Sequence, residues 1–288
     1  LIVAVTGGRG TLGRAVTALA LQLGHEVVCI DRAGSQAGPA QDGLRYQTAD
    51  LTCYDSLSEA VGSADAMVHL AAYVSPHVAA DHVVHNNNVV ASYNALSVAA
   101  ERGLSRVCIA SSVNAIGGAY SNVARYDYFP VDENHPTYAE DGYSVSKWIA
   151  EQQAAAFARR EPGMAFAAVR LHALRERSDM NELVRSLGSE RTRRDLWGYT
   201  PNNVAAQACL AAITVPLHGF ETFYVVAQDT AADEPSLTLR DRYYPNVPVV
   251  GDLSGHRSFF DSAKAARVLG IAVAPPSAIA MSGPDDRL

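Results

Sequence analysis

Tyr143-Ser144-Val145-Ser146-Lys147 sets a phenol and an ammonium four residues apart, which on a helix puts both on one face about one turn from each other. Lysine is scarce in this chain. The 23 basic residues include only Lys147 and Lys264, so 13 tyrosines placed at random give roughly 0.1 Tyr-x-x-x-Lys matches. An ammonium kept at 147 where arginine is otherwise preferred points to a need for a compact three-donor cation. The chemistry is proton transfer. A free phenol titrates near about 10, so service as a base near neutrality needs its pKa lowered by about 3, roughly 4 kcal/mol. A cation about 4 Å away at an effective dielectric of 20 supplies about that much. The expectation is that Lys147 lowers Tyr143 enough; an exposed helical pair with no chemistry is the alternative.

Ser111 and Ser112 follow the apolar run 106–110, at the edge where a parallel strand meets its ligands. From there the Ser112 hydroxyl can donate to a substrate oxygen and hold it against the phenol, as an oxyanion donor does. Capping the following turn is the alternative.

The elements that would position these groups begin with the apolar run Leu1–Val5, which leads into Thr6-Gly7-Gly8-Arg9-Gly10-Thr11-Leu12-Gly13 and a helix. Gly7, Gly10 and Gly13 fall where a tight turn, the approach of a pyrophosphate and close helix-to-strand packing exclude a Cβ. Free N–H groups at the helix start then face the phosphates. The second strand ends at Asp31, whose carboxylate can accept from both adenosine ribose hydroxyls and would repel a 2′-phosphate. That favours NAD, although Arg32 beside it is the residue type that binds a 2′-phosphate.

Further runs at Glu26–Ile30, Leu44–Thr48, Ala66–Leu70, Arg106–Ala110 and Ala165–Leu171 alternate with helical stretches, among them Val83–Arg102 and one from Gly142 to about Arg160. This predicts an α/β, doubly wound parallel sheet covered on both faces. Beyond 171 the pattern loosens, with an arginine-rich stretch at 170–194, a helix at Val204–Ile213, a strand at Thr222–Ala227 and turns at Tyr243-Tyr244-Pro245 and Pro275-Pro276. The reading is an NAD-binding domain over 1–171, joined by a returning segment near 199–227, with a small substrate lobe from 172–198 and 228–288. The aromatic segment between Gly117 and Asp141 (Tyr120, Tyr126, Tyr128, Phe129) suits either a lid or packing onto the body. Arg170, Arg175, Arg177, Arg185, Arg191, Arg193 and Arg194 either clamp an anion or lie solvated on the surface.

A net charge of −7 argues against a nucleic-acid partner. No apolar run is long enough to span a bilayer, and no charged leader precedes one, so a soluble, cytoplasmic protein is expected. The widely separated Cys29, Cys53, Cys108 and Cys209 read as thiols without metal or redox pairing. His77, His82 and His85 with Asp81 read as loop at the site's mouth, with no metal.

Taken together, these features resemble the extended short-chain dehydrogenase/reductase family of nucleotide-sugar epimerases, dehydratases and uronate dehydrogenases. The resemblance rests on the glycine loop, Asp31, Asp50-Leu51, His69-Leu70-Ala71-Ala72, Asn88-Val89, Ser111-Ser112, Tyr143-x-x-x-Lys147 with Glu151, and Phe260-Asp261-Ser262-x-Lys264-Ala265 before Leu269-Gly270. It implies that Asp50 contacts adenine with Leu51 beside it, that Leu70, Ala71 and Ala72 line the cofactor groove with Thr11 and Leu12, and that Asn88 supports a relay water or a helix bend. It also implies Tyr143 as acid/base, Lys147 on the nicotinamide ribose, Ser112 on the reacting oxygen, and a homodimer. Val113-Asn114 stand where dehydratases of the family carry an acidic pair, which disfavours dehydration. Ser111-Ser112-Val113-Asn114-Ala115-Ile116-Gly117 is similar in layout to the uronate dehydrogenases. Expected substrate contacts are Ser111, Ser112, Asn114, Tyr143 and Arg170. The expected function is NAD-dependent oxidoreduction of a sugar-like or other small polar substrate; the alternatives are a nucleotide-sugar 4-epimerase and an NAD-sensing protein without turnover.

Overall fold

The computed structural model describes residues 1–34, 38 and 41–272; the 275–276 turn and the tail to 288 lie outside them. The elements run β1 (Ile2–Thr6), α1 (Thr11–Gln22), β2 (Glu26–Asp31), β3 (Leu44–Thr48), α2 (Tyr54–Val61), β4 (Ala66–His69), α3 (Asp81–Glu101), β5 (Arg106–Ser112), α4 (Gly142–Arg160), β6 (Ala165–Leu171), α5 (Arg177–Leu187), α6 (Ser189–Thr192), α7 (Asn202–Thr214), β7 (Gly219–Val225), α8 (Ser236–Tyr243) and α9 (Ala263–Leu269). All pairings are parallel in one sheet of order β3-β2-β1-β4-β5-β6-β7. The order reverses at β1 and β4, so a crevice opens between their C-terminal ends, where such sheets bind ligands.

Two layers of helix explain the continuous apolar runs. Val3, Val5, Cys29, Val68 and Ala167 face α1 and α7, whereas Ala4, Val28, Met67, Ile109 and Phe166 face α2, α3 and α4. Successive residues thus bury into opposite layers, so both strand faces must be apolar. A third cluster joins Ile116, Tyr126, Phe129 and Val131 to Trp197, Tyr199, Tyr224 and Phe259. The middle of the 117–141 segment belongs to this cluster: Phe129 N donates to Pro248 O and Val131 N to Phe259 O. Tyr126 and Phe129 are therefore core, and only Tyr120 of the segment's aromatics reaches the crevice.

β5 continues through Ser111 and Ser112, and β7 starts three residues before the expected strand. Helices α2 and α5 stand where no helix was foreseen. In α5 only Met180 and Val184, a turn apart, are buried, and that is a weak signal among charged neighbours.

Candidate active site

The first turn of α4 carries Tyr143 and is tied down by two carboxylates. Asp141 caps the helix by accepting from Ser144 N at 2.9 Å, and Asp81 Oδ1, at the start of α3, accepts from Gly142 N at 2.7 Å. A Cβ on Gly142 would lie 2.5 Å from Asp81 O, so only glycine permits this junction. One turn on, Lys147 Nζ donates to Ala110 O of β5 at 2.8 Å, which fixes α4 against the strand carrying Ser112. Ser112 Oγ accepts from Asn114 N at 3.1 Å, and its own proton is shared with the Tyr143 phenol. The turn capping posed as the alternative to a substrate contact is made, and the same hydroxyl also reaches the tyrosine.

Electrostatics correct the first expectation. Burial pushes Tyr143 up to about 12, against a smaller lowering by the Ser112 hydrogen bond. Lys147 is itself pushed down to about 8 by burial, partly offset by Glu151. Its Nζ lies 5.9 Å from the phenol ring centre with one donor on a carbonyl, and the phenol stays at about 12 with it there, so the cation alone does not activate the phenol. Sequence spacing gave the pair but not the desolvation of both partners. The burial of Lys147 also carries a pH signature. Between about pH 8 and its ordinary value of 10.5 the unfolded chain holds more protons at this residue, so this group's contribution to stability rises with pH there. Without ligands, a difference titration of the wild-type chain against Tyr143→Phe should show the Tyr143 phenolate only near pH 12. Its appearance near neutrality would show that the chain alone activates it.

The glycine loop is a cradle that a side chain would fill. Gly7 has φ +66°, and a Cβ there would lie 2.8 Å from Ala71 N; one on Gly13 would lie 2.2 Å from Gly7 O. Thr6 Oγ1 accepts from Leu70 N at 3.2 Å and Ala71 N at 3.4 Å, joining the loop to the end of β4. A pocket of about 450 Å³ runs from Gly7, Gly10, Thr11, Leu12 and Gly13 past Leu70 and Ala72 to Ser111, Ser112, Asn114, Tyr143 and Lys147. The volume and the mix of backbone amides with few polar side chains suit a dinucleotide's reactive half beside a small substrate. At the far end, Asp31 accepts from Arg9 N at 2.9 Å and Arg32 N at 2.8 Å, while Arg32 is exposed. Asp50 is exposed and accepts from Thr52 at 2.7 and 2.9 Å, and Leu51 is buried beside it.

Of the expected cofactor contacts Asp31, Arg32, Asp50, Leu51 and Ala71 do not line this pocket, and neither do Arg170 and Asn88, expected at its catalytic end. Arg170 is buried and gives its Nε and one terminal nitrogen to the two oxygens of Glu151, at 2.9 and 2.8 Å, and another to Tyr224 Oη at 3.2 Å. Its donors are satisfied within the core, so it holds Glu151, which in turn accepts from Ser111 Oγ at 2.6 Å. Asn88 likewise spends both ends of its amide: Oδ1 accepts from Tyr73 N at 2.8 Å, and Nδ2 donates to Tyr73 O at 3.0 Å and Ser146 Oγ at 3.1 Å. It pins the loop after β4 to α4. Of the other arginines, Arg177 pairs with Asp229, Arg185 with Asp233 and Arg193 with Glu190, Arg194 binds the carbonyls of Ser121 and Asn122, and Arg175 and Arg191 are exposed.

The pocket's other wall carries residues to which the sequence reading gave no role: His172, Leu174 and Asp195, facing Tyr120. Tyr120 stands edge-on to Tyr143, with ring centres 5.8 Å apart, and His77 packs edge-on against Tyr120 at 5.6 Å. His77 thus packs beside a pocket residue from the loop, whereas Asp81, His82 and His85, read as loop at the mouth, stand on α3. Among the described residues no cluster of histidine, cysteine or acidic side chains is arranged to hold a metal, and no helix is long and apolar enough to cross a membrane.

The sequence profile described as the NAD dependent epimerase/dehydratase family matches residues 3–175. A putative UDP-glucose 4-epimerase of Methanocaldococcus jannaschii is 25% identical over 156 residues, covering 52% of this chain and 49% of that protein. An L-arabinose 1-dehydrogenase (NAD(P)(+)) of Haloferax volcanii is 30% identical over 155 residues, covering 52% of this chain and 58% of that protein. The aligned stretch thus spans about half the length of these relatives. A crystal structure of UDP-galactose 4-epimerase superposes with a TM-score of 0.67 at 24% identity, covering 96% of this chain and 94% of that one, a likeness of fold. More than half of the chain, including the glycine cradle and the Tyr143–Lys147 helix, falls within the profile, and the protein belongs to the NAD-dependent epimerase/dehydratase family.

Proposed function

We propose that the chain is an NAD-dependent oxidoreductase acting on a carbinol or keto carbon of a small, sugar-like substrate. The observation that carries this reading is that the Tyr143 phenol, the Ser112 hydroxyl and the Lys147 ammonium line the same pocket as the glycine cradle. Gly7, Gly10, Thr11, Leu12 and Gly13 would hold the pyrophosphate, Asp31 the adenosine ribose, Asp50 and Leu51 the adenine end, and Leu70, Ala71 and Ala72 the groove wall. NAD supplies a hydride acceptor there. Ser112 donates to the substrate oxygen, Tyr143 Oη takes or returns its proton, and Lys147, with one donor on Ala110, turns the others to the nicotinamide ribose. Ser111 and Asn114 complete the substrate wall. Asn88 acts by fixing the loop over the site.

In this reading residues 172–198 and 228–288, of which the structure describes those up to 272, form the substrate lobe. A homodimer through α3 and α4 is supported by the half-exposed Val90, Tyr93 and Trp148. Free cysteines throughout suit the cytoplasm. The test is NADH absorbance with aldoses, uronic acids and UDP-sugars as separate substrates. Sustained NADH formation with one of the small sugars is expected. Inversion of a UDP-sugar without net NADH would replace the reading with epimerisation, and tight NAD binding with no turnover would replace it with a sensor.

A further inference from the structure

We propose that Asp195 is the residue that selects the substrate, and that it selects an uncharged polyhydroxy compound, a neutral aldose or polyol, over a uronate or a nucleotide-diphosphate sugar. The proposal rests on the oxidoreductase reading above. Asp195 lines the pocket, and among the described residues no donor is bonded to its carboxylate. The nearest arginines are committed elsewhere: Arg193 to Glu190, and Arg194 to the carbonyls of Ser121 and Asn122. Lys147 is the only arginine or lysine among the lining residues, with one donor on Ala110 and, in the reading above, the others on the nicotinamide ribose. Burial raises the Asp195 carboxyl above the ordinary carboxylate range, and in its ionised form it accepts strong hydrogen bonds from hydroxyls and repels a carboxylate or phosphate.

The backbone is built to hold Asp195 there. His172, at the exit of β6, accepts from Ala173 N through Nδ1 at 2.7 Å, so its proton is on Nε2, which donates to Asp195 O at 2.8 Å. Burial keeps that ring neutral, and with both nitrogens used it serves as a clamp. The ring lies against Gly198, where a Cβ would come within 2.8 Å of Cδ2. The two residues after Asp195, Leu196 and Trp197, both take left-handed φ values, 51° and 53°, while their side chains are fully buried. Consecutive non-glycine residues in that region are strained, and such strain concentrates at functional sites. Here it turns Leu196 and Trp197 into the core and leaves Asp195 facing the pocket.

The experiment compares galactose with galacturonate, which differ only in a hydroxymethyl against a carboxylate, on the wild-type chain and on Asp195→Asn. Wild-type kcat/KM should favour galactose by about ten- to a hundredfold, as expected for hydrogen bonds to a charged acceptor. Asp195→Asn should raise the galactose KM about tenfold with kcat nearly unchanged, raise galacturonate turnover, and leave thermal melting unaltered. A wild-type preference for galacturonate, or a ratio that Asp195→Asn does not move, would overturn the proposal. If no sugar yields NADH, the oxidoreductase reading fails separately. The same ratio is then read as Kd by calorimetry on NAD-loaded Tyr143→Phe protein, where equal affinity, or binding of neither sugar, overturns the role of Asp195.

Discussion

Tyr143→Phe lowers kcat about 10³-fold, within the range that general acid–base catalysis contributes, while NAD binding holds within about twofold. The split follows from where the residue sits. The phenol ring packs edge-on against Tyr120 and is 7% exposed, so phenylalanine keeps its packing and loses one polar atom. The glycine cradle is untouched by that loss. With Tyr143 at about 12, use near neutrality needs its pKa brought down by about 5, roughly 7 kcal/mol. The value of about 12 already includes the lowering by Ser112, so the whole of that shift must arrive with the bound ligands. Turnover should therefore depend on the phenol only in the ternary complex. The measurement is steady-state turnover on the substrate found by the NADH panel, with Kd for NAD by calorimetry. An undiminished kcat removes Tyr143 from the chemistry, and a matching loss of NAD affinity makes it a cofactor anchor instead.

The sheet and the glycine cradle were legible because they depend on local pattern. The bounds of α4 and β6 follow from apolar periodicity, Gly7 from a left-handed φ, and Gly13 from a helix-to-loop contact that leaves no room for a Cβ. What the sequence withheld is set by distant partners. Arg170 looks like an anion clamp until Glu151, 19 residues away on α4, is seen to occupy it. Asp195 gives no signal of its own, since a clamp from the end of β6 and two strained residues decide where it points. Tyr143 and Lys147 were found by spacing, but how far their protons move depends on burial, which spacing does not carry. The aromatic loop divided for the same reason: Tyr126 and Phe129 met the C-terminal segment, and Tyr120 did not.

Glu151→Gln should cost about 3–5 kcal/mol of stability, the usual result of removing one partner from a buried ion pair. The side chains of Arg170 and Glu151 are 7% and 3% exposed, so the guanidinium left behind has little access to water, with Tyr224 Oη and the new amide's carbonyl oxygen as its remaining, neutral acceptors. In a chain of this size that corresponds to a melting temperature lower by roughly 10 °C. The same carboxylate also raises Lys147 against the effect of burial. Removing its charge should therefore move the deprotonation of Lys147 below about 8, and the alkaline fall in kcat/KM should shift to lower pH. Glu151→Leu combined with Arg170→Met separates the two effects: an apolar pair of similar volume recovers part of the lost stability, yet leaves Lys147 without its neighbouring charge. A recovered melt with the alkaline limb still displaced assigns Glu151 an electrostatic role in the site beyond holding α4 to β6. A limb that returns with the melt would reduce it to packing.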